Sequence, residues 1–242
     1  MPTEAALTPP RAGDCHLWVF QAEHLPPRLA ARAGWPDGTA HEPSRPDPRT
    51  ASRAIQRLLI ARYLAMDPRT LRVERTCTRC RAPHGRPFVR NGVGLDFSVT
   101  HGGTVLAIAC TVGGVVGLDV EPLDNRSHAA TARRVLTARE HGLLERQQRF
   151  GLRGAFHRLW TKKEAVVKLT GHGLGLGLGG FDVSAPDGVV RCPHPVAGWP
   201  TEPIHVRNLD IDGSHVAGLA LTGTSQRVVL ADGDTALRRW MA

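Results

Sequence analysis

The chain has 242 residues, enough for one or two domains with a real core, and its 41% hydrophobic content is ordinary for a soluble protein. A formal net charge of +9 points to anionic partners: nucleic acid, an anionic membrane, an acidic protein or a polyanionic small molecule. With no apolar stretch of transmembrane length, no apolar core of a secretory signal, and an odd, mostly unclustered set of five cysteines (15, 77, 80, 110 and 192), the expected setting is a reducing cytoplasm.

Residues 1–14 read as a frayed tail. His16 to Gln21 reads as the first strand, and 26–47, rich in Pro, Gly and charge, as loop with one short helical turn at most. Pro48 suits a first helical turn. Ala54, Ile55, Leu58, Leu59, Ala61, Tyr63 and Leu64 carry a helical period that ends near Met66. Arg49 and Arg53 sit four apart near the start of that helix, where the dipole disfavours cations. An anion bound there would explain them. Cys77 and Cys80 have zinc-ligand spacing, with His84 as a candidate third ligand. Cys192 or His194 would have to arrive from far away as a fourth, and a lone C-x-x-C is weak evidence, so structural zinc is not the expectation. Leu95–Thr100 and Val105–Val112 read as strands joined by the His101-Gly102-Gly103 turn.

Gly113-Gly114 is the natural hinge. Val115 to Glu121 is a strand-like apolar run interrupted by two acids. Side chains alternate along a strand, so Asp119 and Glu121 share one face and Leu118 and Val120 the other. Two like charges on an otherwise apolar strand repel and are costly to desolvate. A bound cation would remove that cost. His128 to Leu144 reads as one helix. In the next segment Phe156, Leu159, Trp160, Val166, Val167 and Leu169 keep a helical period up to Gly171. On it Trp160, Glu164 and Lys168 are successive i, i+4 neighbours. Taken alone, Glu164 and Lys168 read as a surface pair contributing roughly 0.2–0.5 kcal/mol. With the strand acids upstream, Glu164 becomes a third carboxylate for the same place. Two or three carboxylates with open positions for water and phosphate suit Mg²⁺.

Gly171–Gly180 follows a helix and reads as a helix stop and turn, not a phosphate-cradling loop. Strands are expected at 180–184 with 188–191, and at 204–209 paired with 215–222 across Asp212-Gly213. Val228–Leu230 offers a further edge.

V-G-L-D-V-E (Val116–Glu121) followed by W-T-K-K-E-A-V-V-K-L-T-G-H-G-L (Trp160–Leu174) resembles the paired signature of the 4′-phosphopantetheinyl transferases. That signature is a (V/I)-G-(I/V)-D-(I/V)-E strand and a W-x-x-K-E-(A/S)-x-x-K-x-x-G-x-G-L helix and loop. F-S-V-T-H (Phe97–His101) resembles a third block of the family. The length resembles the larger, surfactin-synthetase-type branch, a single chain with two similar halves, and not the half-size carrier-protein synthases. The resemblance implies an α+β fold: two similar α/β halves, 1–113 and 114–242, related by pseudo-two-fold symmetry. Each half would be a small, mostly antiparallel sheet packed with a long helix.

The implied activity is Mg²⁺-dependent transfer of 4′-phosphopantetheine from coenzyme A to a carrier-protein serine, releasing 3′,5′-ADP. By the same resemblance Asp119, Glu121 and Glu164 would hold Mg²⁺, Glu164 would be the general base, and Lys168 would stabilise charge on the transferring phosphate. Lys163 would make an ion pair or a phosphate contact, and Trp160 would position the helix. Arg53, and less directly Arg49, would contact coenzyme A. Gly85-Arg86-Pro87 stands where the family has G-K-P, which gives Arg86 a phosphate contact. Thr100 replaces the common Ser and keeps its hydroxyl, and His101 would meet the 3′-phosphate. The basic charge fits both coenzyme A and acidic carrier domains. A nucleic-acid-binding module is the competing reading. It fails on aromatics, which are 5% of the chain and not interleaved with basic residues, and it gives no reason for the three acids. A coenzyme A-binding relative without catalysis is disfavoured by the intact D-x-E and W-x-x-K-E-x-x-x-K. No nucleic-acid or membrane partner is expected.

Overall fold

The computed structural model describes residues 8–26, 29, 33, 48–77, 82, 85–90, 92, 94–124, 128–149, 151–223 and 227–241. The first sheet has the order β4-β5-β1-β9, built from β1 (Asp14–Gln21), β4 (Leu95–Gly102), β5 (Val105–Val112) and β9 (Arg227–Asp232). A second sheet, β6-β8-β7, joins β6 (Val116–Pro122), β7 (Ile204–Asp210) and β8 (His215–Thr222). Strands β2 (Val73–Arg75) and β3 (Pro87–Val89) form a separate ribbon. The helices are α1 (Pro48–Tyr63), α2 (Ala129–Val135), α3 (Ala138–Arg149), α4 (Ala155–Thr170) and α5 (Gly233–Met241). The fold is α+β, and among the described residues no helix is long and apolar enough to cross a membrane.

Strand β5 explains the layering. Its run V-L-A-I-A-C-T is buried on both faces. Leu106, Ile108 and Cys110 join Trp18 and Phe20 in a core against α1, which supplies Ile55 and Leu59. Val105, Ala107 and Ala109 face Leu118, Val120 and Leu219 of the second sheet. A third core lies where α4 covers the far side of that sheet, with Phe156, Leu159 and Val166 meeting Ile204 and Val206. The order is therefore α1, first sheet, second sheet, α4.

Several boundaries differ from the sequence expectation. His128–Leu144 is two helices, because Leu136 is extended and a new helix, capped by Thr137, starts at Ala138. There Thr137 Oγ1 accepts from Glu140 N (3.2 Å) and Glu140 Oε2 accepts from Thr137 N (2.8 Å), a reciprocal capping box. The 180–191 stretch forms only isolated bridges. Strand β9 is an edge as expected, but it runs parallel to β1 in the first sheet. The chain then ends in α5, which was not anticipated. Asp232 accepts from Thr235 N (3.0 Å) at its start, and Ala236 and Leu237 enter the α1 core. Cys80, His84 and the Arg49 side chain lie outside the described residues, as does most of 26–47, of which Leu29 and Ala33 are buried in that core.

Candidate active site

The two sheets meet edge to edge at β4 and β6, and side chains make the seam. Asp96 Oδ2 accepts from Val116 N (2.7 Å), and Ser98 Oγ accepts from Leu118 N (3.0 Å). Thr100 Oγ1 donates to Asp119 Oδ1 (3.1 Å). Residues 96, 98 and 100 alternate onto one face of β4, so the edge donors of β6 are satisfied without a backbone ladder. The next residue on that face is Gly102, where a Cβ would overlap the Val120 carbonyl.

Helix α4 is held close to β6 and β8 by two glycines. A Cβ at Gly117 would overlap the Ala165 carbonyl, and one at Gly218 the Thr161 carbonyl. Gly218 is the ladder partner of Asp119. With backbone lying on sheet here, the helix lowers Glu164 and Lys168 toward the strand acids. Lys168 Nζ is 2.7 Å from Asp119 Oδ1 and 3.0 Å from Thr100 Oγ1. Burial raises the Glu164 carboxyl above its usual range; the Asp119 charge adds to this, Lys168 opposes it, and Glu121 adds further. Glu121 is raised by burial and then by Asp119, and the neighbouring Trp160 and Lys168 oppose this.

Two oxygens in this cluster, Asp119 Oδ2 and Glu164 Oε1, are buried with no hydrogen-bond partner. Buried polar atoms normally find one, and neighbouring carboxylates disfavour one another's charge. Hard oxygen donors without protons or donors are what a hydrated Mg²⁺ uses. The residues fit the ion.

Two further sequence-predicted residues are engaged within the fold. Lys163 points into the fold, fully buried. Its ammonium is 2.9 Å from Glu140 Oε2 and donates to the Leu178 and Phe181 carbonyls, both at 2.7 Å. Those three acceptors use its three N–H donors, so the ion pair is formed and no donor remains for a phosphate. Burial lowers its pKa, and the Glu140 charge opposes that. Arg86 pairs with Asp96 and donates to the Val116 carbonyl (2.9 Å). Asp96, raised by burial, requires a cation, so Arg86 braces the seam. We predict that Lys163→Met lowers stability by roughly 3–5 kcal/mol, because it leaves a buried carboxylate unpaired. Denaturant midpoints measure it, and an unchanged midpoint would show that the pair is not needed.

A second basic region lies beside α1 and β2. A cavity of about 640 Å³ is lined by Arg53, Arg57, Arg72, Arg75 and Glu74 among others. Arg57 is engaged by the Pro68 and Leu71 carbonyls, and Arg75 by Gln56 Oε1 (3.0 Å). Burial and then the Arg53 charge lower the Arg75 pKa. Arg53 and Arg72 are exposed at this cavity. His101 is exposed at the end of β4, on the face opposite Thr100, with Phe97 and Val99. The structure therefore separates Thr100, which joins the acids, from His101. Arg72 and Arg75 also line this cavity, and the sequence reading did not single them out.

Residues 115–219, from the start of β6 into β8, match the family model of the 4′-phosphopantetheinyl transferase superfamily. The chain is 33% identical over 156 residues to the 4′-phosphopantetheinyl transferase AcpT of Salmonella typhi, covering 63% of this chain and 70% of that protein. It is 34% identical over 101 residues to the 4′-phosphopantetheinyl transferase psf-1 of Bacillus pumilus, covering 40% of this chain and 41% of that one. Similarity to the 4′-phosphopantetheinyl transferase HetI of a Nostoc species is 30% identity over 126 residues, 52% of each chain. With the strand acids, the helix carboxylate and lysine, and these matches in agreement, the chain belongs to the 4′-phosphopantetheinyl transferase superfamily and is an enzyme of that class.

Proposed function

We propose that the chain transfers the 4′-phosphopantetheine arm of coenzyme A to a serine of an apo acyl or peptidyl carrier protein. The observation that carries this reading is the cluster of Thr100, Asp119, Glu164 and Lys168 with its two unpartnered carboxylate oxygens. The serine oxygen attacks the phosphorus that bears pantetheine, and Glu164 accepts its proton. The P–O bond to the other phosphate breaks, and 3′,5′-ADP leaves with that electron pair. Magnesium bound by Asp119, Glu121 and Glu164 would offset charge on the pyrophosphate. Glu164 keeps one carboxylate oxygen without a hydrogen-bond partner, which suits it to take the serine proton. Lys168 is pinned by Asp119 and Thr100, and its third N–H is left to neutralise charge on the transferring phosphate. Trp160 packs beside Phe156 on the same helix and helps to position it. Arg53, with Arg72 and Arg75, would take the anionic end of coenzyme A, and His101 its 3′-phosphate. Arg86 and Lys163 serve this site by positioning β6 and α4.

In the same reading the protein is a cytoplasmic monomer of the larger, surfactin-synthetase type. Its halves are 1–113 and 114–242 with a pseudo-two-fold relation, supported by the mirrored order of helix, sheet, sheet, helix. β9 and α5 return from the second half to the first sheet. The net charge of +9 favours an acidic carrier domain, and neither nucleic acid nor membrane is a partner.

The acid cluster carries its own pH signature. Glu164 and Glu121 are both raised in the folded state. Their contribution is fully present below the ordinary carboxylate range and is lost as pH rises through the raised values. With chelator present, thermal stability should therefore fall between mildly acidic and neutral pH. Glu164→Gln should flatten part of that fall, and Mg²⁺ should restore the parent more than the variant. An identical pH slope in both proteins would show that Glu164 is not held in this environment. The activity itself is tested by intact mass of apo carrier proteins from fatty-acid, polyketide and peptide synthesis after incubation with coenzyme A and Mg²⁺. A gain of one phosphopantetheine is expected; no gain on any of them would sink the assignment.

A further inference from the structure

A second group of metal-type ligands lies past the acid cluster. Asp124, His128 and His157 each offer one ligand atom, and these atoms lie within 4.8 Å of one another. They come from three segments: the turn after β6, the residue that precedes α2, and the first turn of α4. Asp124 Oδ1 is 3.1 Å from His128 Nε2 and 3.9 Å from His157 Nε2. A tetrahedral ion with bonds of about 2.0–2.1 Å sets its ligand atoms roughly 3.3 Å apart, between these two distances. All three atoms lie within 4.8 Å of one another, and the pairs wider than the tetrahedral spacing would draw in as the set closes.

The surroundings fix the ligands and leave one side open. Phe156 stacks on His128, with ring centroids 4.7 Å apart and planes at 10°. The two imidazoles meet edge to face at 4.6 Å and 79°. Arg153 donates to the Leu123 carbonyl (2.9 Å) and so holds the turn that carries Asp124. His157 is buried and Asp124 and His128 are half-buried, and all three line a cavity of about 330 Å³. That space accepts a water or substrate atom as a fourth ligand.

We propose that Asp124, His128 and His157 bind a first-row transition-metal dication, Zn²⁺ foremost, with one coordination position open to the cavity. Two imidazoles and one carboxylate suit Zn²⁺ and its neighbours, whereas Mg²⁺ prefers oxygen alone. The ion would be distinct from the one at Asp119. It would tie the segment leaving Glu121 to the first turn of α4, and so brace the acid cluster from outside.

The test uses the tag-free full chain, freed of metal by chelator and titrated with Co²⁺ and then Zn²⁺, followed by absorption and calorimetry. One equivalent of Co²⁺ should bind with visible ligand-field bands and no thiolate charge-transfer band, and Zn²⁺ should displace it. Affinity should fall at least about tenfold in His128→Ala and in His157→Gln, and stay unchanged in Cys77→Ser and Asp119→Ala. At a hundredfold excess over Kd, Zn²⁺ should raise the melting temperature by about 5–10 °C. If His157→Gln does not fold, His128→Ala at the half-buried position decides. The proposal is overturned by absence of stoichiometric binding to the parent, by undiminished binding in the folded histidine variants, by a thiolate band, or by loss of the ion in Asp119→Ala.

Discussion

Asp119→Ala should lower the rate of carrier modification by at least roughly 10²–10³-fold at saturating coenzyme A, with the fold intact. Asp119 is where the site is joined. Its Oδ1 holds both Lys168 and Thr100, and its Oδ2 is one of the two unpartnered buried oxygens. Removing it releases the lysine and takes away half of the orphaned donor set together. The fold should survive, because the Lys168 side chain is 32% exposed and can turn into water. Loss of Asp119 also relieves repulsion on Glu164 and Glu121. Activity within tenfold of the parent would show that the cluster is not the reacting centre.

Gly218→Ala should destabilise the protein by about 3 kcal/mol or more and abolish transfer with it. The added Cβ would overlap the Thr161 carbonyl and crowd Lys162 N. These are helix backbone atoms, so no side-chain rotation relieves the clash. Either α4 lifts from the sheet, carrying Glu164 and Lys168 away from Asp119, or the sheet yields. Gly177→Ala is the matched control. Gly177 has φ −56 and open space around it, so the change should stay within about 0.5 kcal/mol. Denaturant midpoints measure both. Equal midpoints for Gly218→Ala and the parent would mean that the helix does not rest on the sheet there.

The acid cluster was largely legible because it depends on local periods. Strand alternation put Asp119 and Glu121 on one face, and helical spacing stacked Glu164 under Lys168. The same helical period carried a warning about Lys163. It falls seven residues after Phe156 and four before Val167, on the apolar stripe, and a lysine there is buried and must find a partner. That partner, Glu140, is set by tertiary packing and no local pattern names it. The capping signal T-A-R-E at Thr137–Glu140 was available and would have divided the helix read as one. Asp96, Ser98 and Thr100 alternate visibly, but nothing local says that their face meets the edge of β6. Nothing local names Asp96, in β4, as a partner of Arg86. The pairing of β9 with β1 joins residues as distant as Asp14 and Arg227. Such non-local pairing leaves little trace in hydrophobic periodicity.

Binding of Mn²⁺, as a probe for Mg²⁺, in the presence of coenzyme A tests the acid cluster most directly. Counted by electron paramagnetic resonance in the His128→Ala background, which removes the histidine site, one ion per chain should bind. It should be lost in Asp119→Ala and weakened in Glu164→Gln. Undiminished binding in both Asp119→Ala and Glu164→Ala would contradict a metal centre built from β6 and α4.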